Sequence, residues 1–157
     1  MLLAASLWVA AVPARPEQSA QSFKDWALRC PDEVGCVLEQ RVLLGDNPTP
    51  LLHVALQYQD EPPILSAIIR VPLGVRLLPG LTIAIDGGQP LTLSFHHCRP
   101  EGCLVLTQVS DPLALALRRG NQADVSYQLA DSRVLRVPLS LHGITAGLRA
   151  LRASLEP

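Results

Sequence analysis

The densest collection of reactive side chains is His96-His97-Cys98, followed by Cys103. Imidazole and thiolate together suit zinc or copper, and a Cys-x4-Cys pair can cycle between thiol and disulfide. Both chemistries meet a local obstacle. Adjacent histidines on a strand are expected on opposite faces, where they cannot easily serve one ion. The cysteine pair lacks the two-residue spacing and the helix N-terminus that lower a thiol pKa in oxidoreductases. A structural disulfide is therefore expected, with no metal and no cofactor. A metal-binding or redox accessory role for His96, His97, Cys98 and Cys103 is the alternative.

No other constellation points to a reaction. Nucleophile elbows, phosphate loops and paired helical histidines are absent from the sequence. Asp86, next to Gly87-Gly88, reads as a turn residue, and no two acidic residues are spaced for acid–base work. Arg118-Arg119 falls at the end of a helical stretch, where cations favour the helix dipole. The expectation is a protein that is not an enzyme and has no catalytic residue. A hydrolase with its site on loops at one end of the fold is a further rival that fold alone does not exclude. A net charge of -1 and 4% aromatic residues leave no basic stripe or stacking platform for nucleic acid.

The four cysteines fall as two close pairs, Cys30 with Cys36 and Cys98 with Cys103. Three connectivities are open to four cysteines. The two local bridges are expected, each worth about 2 to 2.5 kcal/mol by loop closure, and a long-range cross-link between the two segments is the alternative. Disulfides belong to oxidising compartments, and the N-terminus agrees. Leu2 to Val12 is an apolar run of signal-peptide length, with Val12 and Ala14 as the small residues a signal peptidase reads. The alternative is a buried N-terminal strand or helix. The expected organisation is a signal peptide over residues 1–14, a flexible segment over 15–22 and one domain over 23–157. No later segment approaches the ~20 apolar residues of a membrane helix. The expected address is periplasmic or secreted, with no membrane span after cleavage.

The elements that would hold these residues are mostly strands. With 48% apolar and 17% charged residues in 157, the chain is long and apolar enough for one proper core. Trp26 and Leu28 lead into Cys30 as a first strand, Pro31-Asp-Glu turns the chain, and Gly35–Leu44 reads as a second strand. Leu52, Val54, Leu56 and Tyr58 alternate with polar partners, and Ile64–Val71 is the most uniformly apolar strand, placed centrally. Leu81, Ile83 and Ile85, then Leu91, Leu93 and Phe95, flank Asp86-Gly87-Gly88 as a hairpin. With Leu104 and Leu106 these runs predict a three-strand meander. Ser110-Asp111-Pro112 opens a short helix that Gly120 ends. Two more strands, Val125–Leu129 and Val134–Leu141, precede a terminal helix with Ile144, Leu148, Leu151 and Leu155 on one stripe. That helix is expected on an open edge or end. The fold class is all-β, a sandwich of antiparallel strands with one short helix and a C-terminal helix.

These motifs, taken in order, resemble a known family. Phe23-Lys-Asp-Trp26 running to Cys30 and Cys36 is similar to the start of the invasion-associated locus B family. Pro72-Leu-Gly-Val75, Leu78-Pro-Gly-Leu81, Ile85-Asp-Gly-Gly88 and Cys98 to Cys103 resemble its central signature. Pro138-Leu-Ser-Leu141, Gly143-Ile144 and the leucine-striped helix resemble its end. The resemblance covers residues 23 to 152. It implies an exported envelope protein of Gram-negative bacteria with an immunoglobulin-like β-sandwich and no defined catalytic residues. The family name implies host interaction or invasion, but the family is widespread in non-pathogens, so that role is not carried over. The resulting expectation is an exported, non-enzymatic envelope protein that binds a protein or envelope partner of unknown identity.

Overall fold

The computed structural model describes residues 20–31, 35–59 and 61–156. The expected signal peptide, residues 15–19 of the entry segment and the Asp32-Glu33 part of the first turn lie outside the described residues. Among the described residues eleven strands form two antiparallel sheets. The larger holds β1 (Gln21–Phe23), β2 (Trp26–Arg29), β3 (Val37–Val42), β4 (Leu52–Gln59) and β5 (Ile64–Val71), with β8 (His97–Arg99) and β9 (Gly102–Gln108). Its order is β1-β2-β3-β4-β5-β9-β8. The smaller sheet holds β6 (Leu81–Ile85), β7 (Leu91–Leu93), β10 (Gln122–Gln128) and β11 (Val134–Ser140), in the order β11-β10-β6-β7. The all-β sandwich with two helices is as the sequence implied.

The period of two explains the layers. Trp26, Leu38, Leu52, Leu56, Ile69 and Val71 face inward from the large sheet and meet Leu81, Val125 and Leu139 of the small one. Between them lies an apolar void of about 30 Å³, lined by Val54, Ile69 and Val125 among others. It has room for about one water and none for a ligand.

Seven strands cannot be covered by four. The C-terminal helix α2 (Ile144–Ala153) completes the second layer, packing on β1 to β4. This corrects the expected placement at an edge or end. Ile144, Leu148 and Leu151 are each 1% exposed. Leu155, expected on the same stripe, lies beyond the helix and is exposed. Gly147 permits the approach, because a Cβ there would sit 2.6 Å from Leu38 Cδ1. Gly143, at φ +93, turns the chain into the helix so tightly that a Cβ would run into the Phe23 carbonyl oxygen. The shorter helix α1 (Asp111–Arg119) buries Ala114 and Leu117, with Leu113 only partly buried.

Two further expectations change. The meander does not form. Leu81↔Leu93 pairs β6 with β7 in the small sheet, after which the chain crosses and starts a second hairpin, β8–β9, in the large one. Phe95 lies in the crossing and packs partly against the core rather than extending β7. Strand pairing also begins earlier than residue 23: Gln21 pairs with Leu28 and Ser22 with Ala27.

Candidate functional site

The sequence-derived cluster comes together, in a different way. Cys98 and Cys103 are directly opposed across β8 and β9 and are bonded at 2.02 Å; Cys30 and Cys36 are bonded at 2.05 Å. Bonded sulfurs are not thiolate ligands. The two histidines do not diverge. His96 precedes β8, so strand alternation does not govern it, and its backbone N–H donates to the Leu104 carbonyl at 2.7 Å. The His96 and His97 Nδ1 atoms then lie 2.7 Å apart. That is a hydrogen bond, in which one ring donates and the other accepts. Each Nδ1 is occupied by the other, while His97 Nε2 is buried with no partner among the described residues. Among the described residues no group of three or more His, Cys, Asp or Glu is placed to hold a metal ion.

A polar centre missed by the sequence reading sits on the outer face of the large sheet. Glu39 is 9% exposed. Its carboxylate accepts from Arg29 Nε at 2.9 Å, His53 Nε2 at 2.7 Å and Arg41 at 3.4 Å. The His53 hydrogen bond leads the causes that hold its pKa down at about 2, against the opposing effect of burial. The residues are 29, 39, 41 and 53 on three strands, all in the outward phase of the alternation. Register alone makes them neighbours, and no short motif announces it. Their basin, of about 240 Å³, is also lined by Val37, Ala55, Ile68 and Arg70 and contains no serine, threonine or cysteine to act as a nucleophile. The arrangement locks three strands together.

Asp86 is likewise saturated. It takes φ +47, with Gly87 at +72, and Gly88 N–H closes the turn on the Ile85 carbonyl at 2.8 Å. Its carboxylate accepts from the backbone N–H groups of Asn121 and Gln122 at 3.0–3.1 Å. The residue pins the hairpin to the start of β10. Gln40, buried between the layers, exchanges two hydrogen bonds with the Ser140 backbone at 3.0 and 3.1 Å.

Apart from His97 Nε2, the uncovered groups that stand out are apolar. The loops 43–51 and 72–80 emerge at the same end, because Val42 pairs with Leu52 while His53 pairs with Arg70, next to Val71. They carry Leu43 (51% exposed), Leu44 (64%), Leu73 (55%), Leu77 (48%) and Leu78 (101%). Loop 72–80 is tied to β10 and the turn after it by Arg76 N–H to the Gln128 carbonyl, Ala130 N–H to the Gly74 carbonyl and Arg76 Nη1 to Ser132 Oγ, each at 2.8 Å. Tyr127 hydroxyl donates to the Leu51 carbonyl at 2.9 Å, and burial raises its pKa to about 12. At the opposite end Arg118, Arg149 and Arg152 converge beside Tyr58.

The family model for invasion-associated locus B protein matches residues 26–152. The chain belongs to the invasion-associated locus B family. Two curated relatives, the invasion protein B homologs of Brucella abortus strains 2308 and 9-941, are each 24% identical over 152 residues, spanning 94% of this chain and 87% of theirs. The crystal structure of invasion associated protein b from Bartonella henselae superimposes with a TM-score of 0.80 at 18% identity. It covers 88% of this chain and 99% of that one. At that identity the match establishes a common fold, and the family's sandwich is the one described above. No helix among the described residues is long and apolar enough to cross a membrane.

Proposed function

We propose that this member of the invasion-associated locus B family is an exported, non-catalytic envelope protein, periplasmic or secreted, that binds a protein or envelope partner through its leucine-tipped end. The carrying observation is Leu78, fully exposed on a loop whose backbone is tied to β10 and the turn after it. Apolar side chains held rigidly in water favour burial against a second surface. The absence of catalysis is supported by the state of the polar groups: Glu39 and Asp86 are saturated, and the four cysteines are bonded in pairs. Two disulfides support an oxidising compartment. Invasion belongs to the names of the Brucella and Bartonella relatives, and the reading for this chain stops at partner binding.

A photoreactive amino acid at position 78 tests the reading in exported protein. Cross-linking to a discrete envelope component from position 78, and none from Thr92 on the small sheet, is expected. Equal labelling from both positions, or none from either, contradicts it. Intact mass of the same protein should match residues 15–157 with four fewer hydrogens than the reduced chain.

A further inference from the structure

We propose that the recess at the arginine end binds an acidic peptide segment of a partner. The inference rests on the reading of the chain as a binding protein, but uses the end opposite the leucines. Two adjoining hollows of about 370 and 610 Å³ share Tyr58, Arg118 and Arg152. Arg118 comes from the last turn of α1, Arg149 and Arg152 from α2.

Charge is the first argument. The chain as a whole carries -1, yet three guanidinium groups meet here. Among the described residues none of the three forms a salt bridge, whereas Arg29, Arg41 and Arg133 each do. Among the described lining residues Asp111 is the one acid, against three arginines. Helix capping accounts for Arg118 and Arg152, which lie in last turns, but not for Arg149 or for the convergence.

Geometry is the second. Arg152 Cζ lies over the Tyr58 ring, 5.1 Å from its centroid and within cation–π range. Thr145 Oγ1 donates to the Arg118 carbonyl at 3.1 Å, fixing the end of α1 against the start of α2. The two helices that carry the cations are therefore held relative to one another, and Arg152 is placed by Tyr58. Ile64 and Leu115, 36% and 46% exposed, supply an apolar floor between them.

These features select the ligand class. Planar guanidinium groups match carboxylates two N–H bonds at a time. Separate cations over an apolar floor suit carboxylates spaced along an extended chain with an aliphatic side chain between them.

Fluorescence anisotropy of a labelled Glu-Leu-Glu-Glu-Leu-Glu peptide on the full exported chain tests this. The wild-type chain should bind it, and Arg118→Gln/Arg149→Gln/Arg152→Gln should weaken binding by roughly tenfold or more. Arg152→Lys alone should restore less than the full affinity, because an ammonium lacks the planar fork. Leu78→Ser should leave the peptide affinity unchanged. The proposal is overturned by no binding to the wild-type chain, by an unaltered affinity in the triple variant, or by equal binding of a Lys-Leu-Lys-Lys-Leu-Lys peptide. Phosphatidylglycerol vesicles or inorganic phosphate that displace the peptide would assign the recess to phosphate instead. Any of these failures with position-78 cross-linking intact leaves the proposed function standing, and loss of that cross-linking with peptide binding intact leaves the recess standing.

Discussion

The two ends of the sandwich share the same strands and present opposite chemistry. At one end the connections are the loops 43–51 and 72–80, and five leucines face water. At the other, the last turn of α1 and the C-terminal part of the face-covering α2 present arginines. The difference follows from how each connection is held. Loop 72–80 is held by backbone hydrogen bonds to β10 and the following turn, so its leucines need not pack inward. The helices are held by burial of Ala114, Leu117, Ile144, Leu148 and Leu151, so their remaining faces must be polar. Each end also carries one disulfide. Cys98–Cys103 lies beside Val71 at the leucine end, and Cys30–Cys36 lies next to Val37 at the arginine end.

The largest way to break this comparison is to loosen α2, which carries two of the three arginines. Gly143→Ala combines a left-handed backbone with a collision against Phe23, and should cost about 3 kcal/mol or more. Urea unfolding measures the loss. Hydrogen exchange should rise first in α2 and β1, while Arg76 and Ala130 stay protected. Protection lost uniformly would mean that the ends are not separable.

Glu39 lies on the sheet that joins the ends, and its effect should depend on pH. Its folded pKa, at about 2, is below the ordinary 4.5. Its contribution is therefore complete above about 4.5 and falls as the pH drops toward 2, where the folded carboxylate also protonates. The shift corresponds to about 3 kcal/mol at most, reduced to about 2 because Arg29 and Arg41 are half exposed and screened. Glu39→Gln should flatten the acid side of a stability–pH curve. An unchanged acid limb would show that the His53 and arginine contacts do not stabilise the carboxylate.

The disulfides sharpen the comparison locally. Cys98→Ser with Cys103→Ser should cost about 2 kcal/mol by loop closure and loosen the leucine end, and Cys30→Ser with Cys36→Ser should loosen the arginine end by a similar amount. Amide exchange resolved by residue would tell them apart. The smallest stability effect belongs to Leu77→Ser with Leu78→Ser, within about 0.5 kcal/mol in urea. A larger loss would mean that these leucines support the fold rather than face a partner.

Much of this was readable from local pattern. The hairpin at Asp86-Gly87-Gly88 needs two residues with positive φ in succession, and few sequences announce that as clearly. Helix α1 is marked by Pro112 and Gly120. The Glu39 centre was not readable, because its members come from three strands whose register depends on loops of unspecified geometry. The His96–His97 contact was missed because strand alternation was applied to His96, one residue before the strand begins. Loop 72–80 was recognisable as a connection and as a family signature, but its leucine exposure was not.

The sequence by itself determined the all-β class, the existence of both helices, the close pairing of the cysteines and the family. Each rests on neighbours within a few residues, where periodicity, turn chemistry and spacing act directly. Only the tertiary structure decided that β8 and β9 leave the small sheet, that α2 covers a face, and that leucines and arginines collect at opposite ends. Those outcomes depend on which surfaces remain to be covered once seven strands face four, and that is a property of the assembled layers.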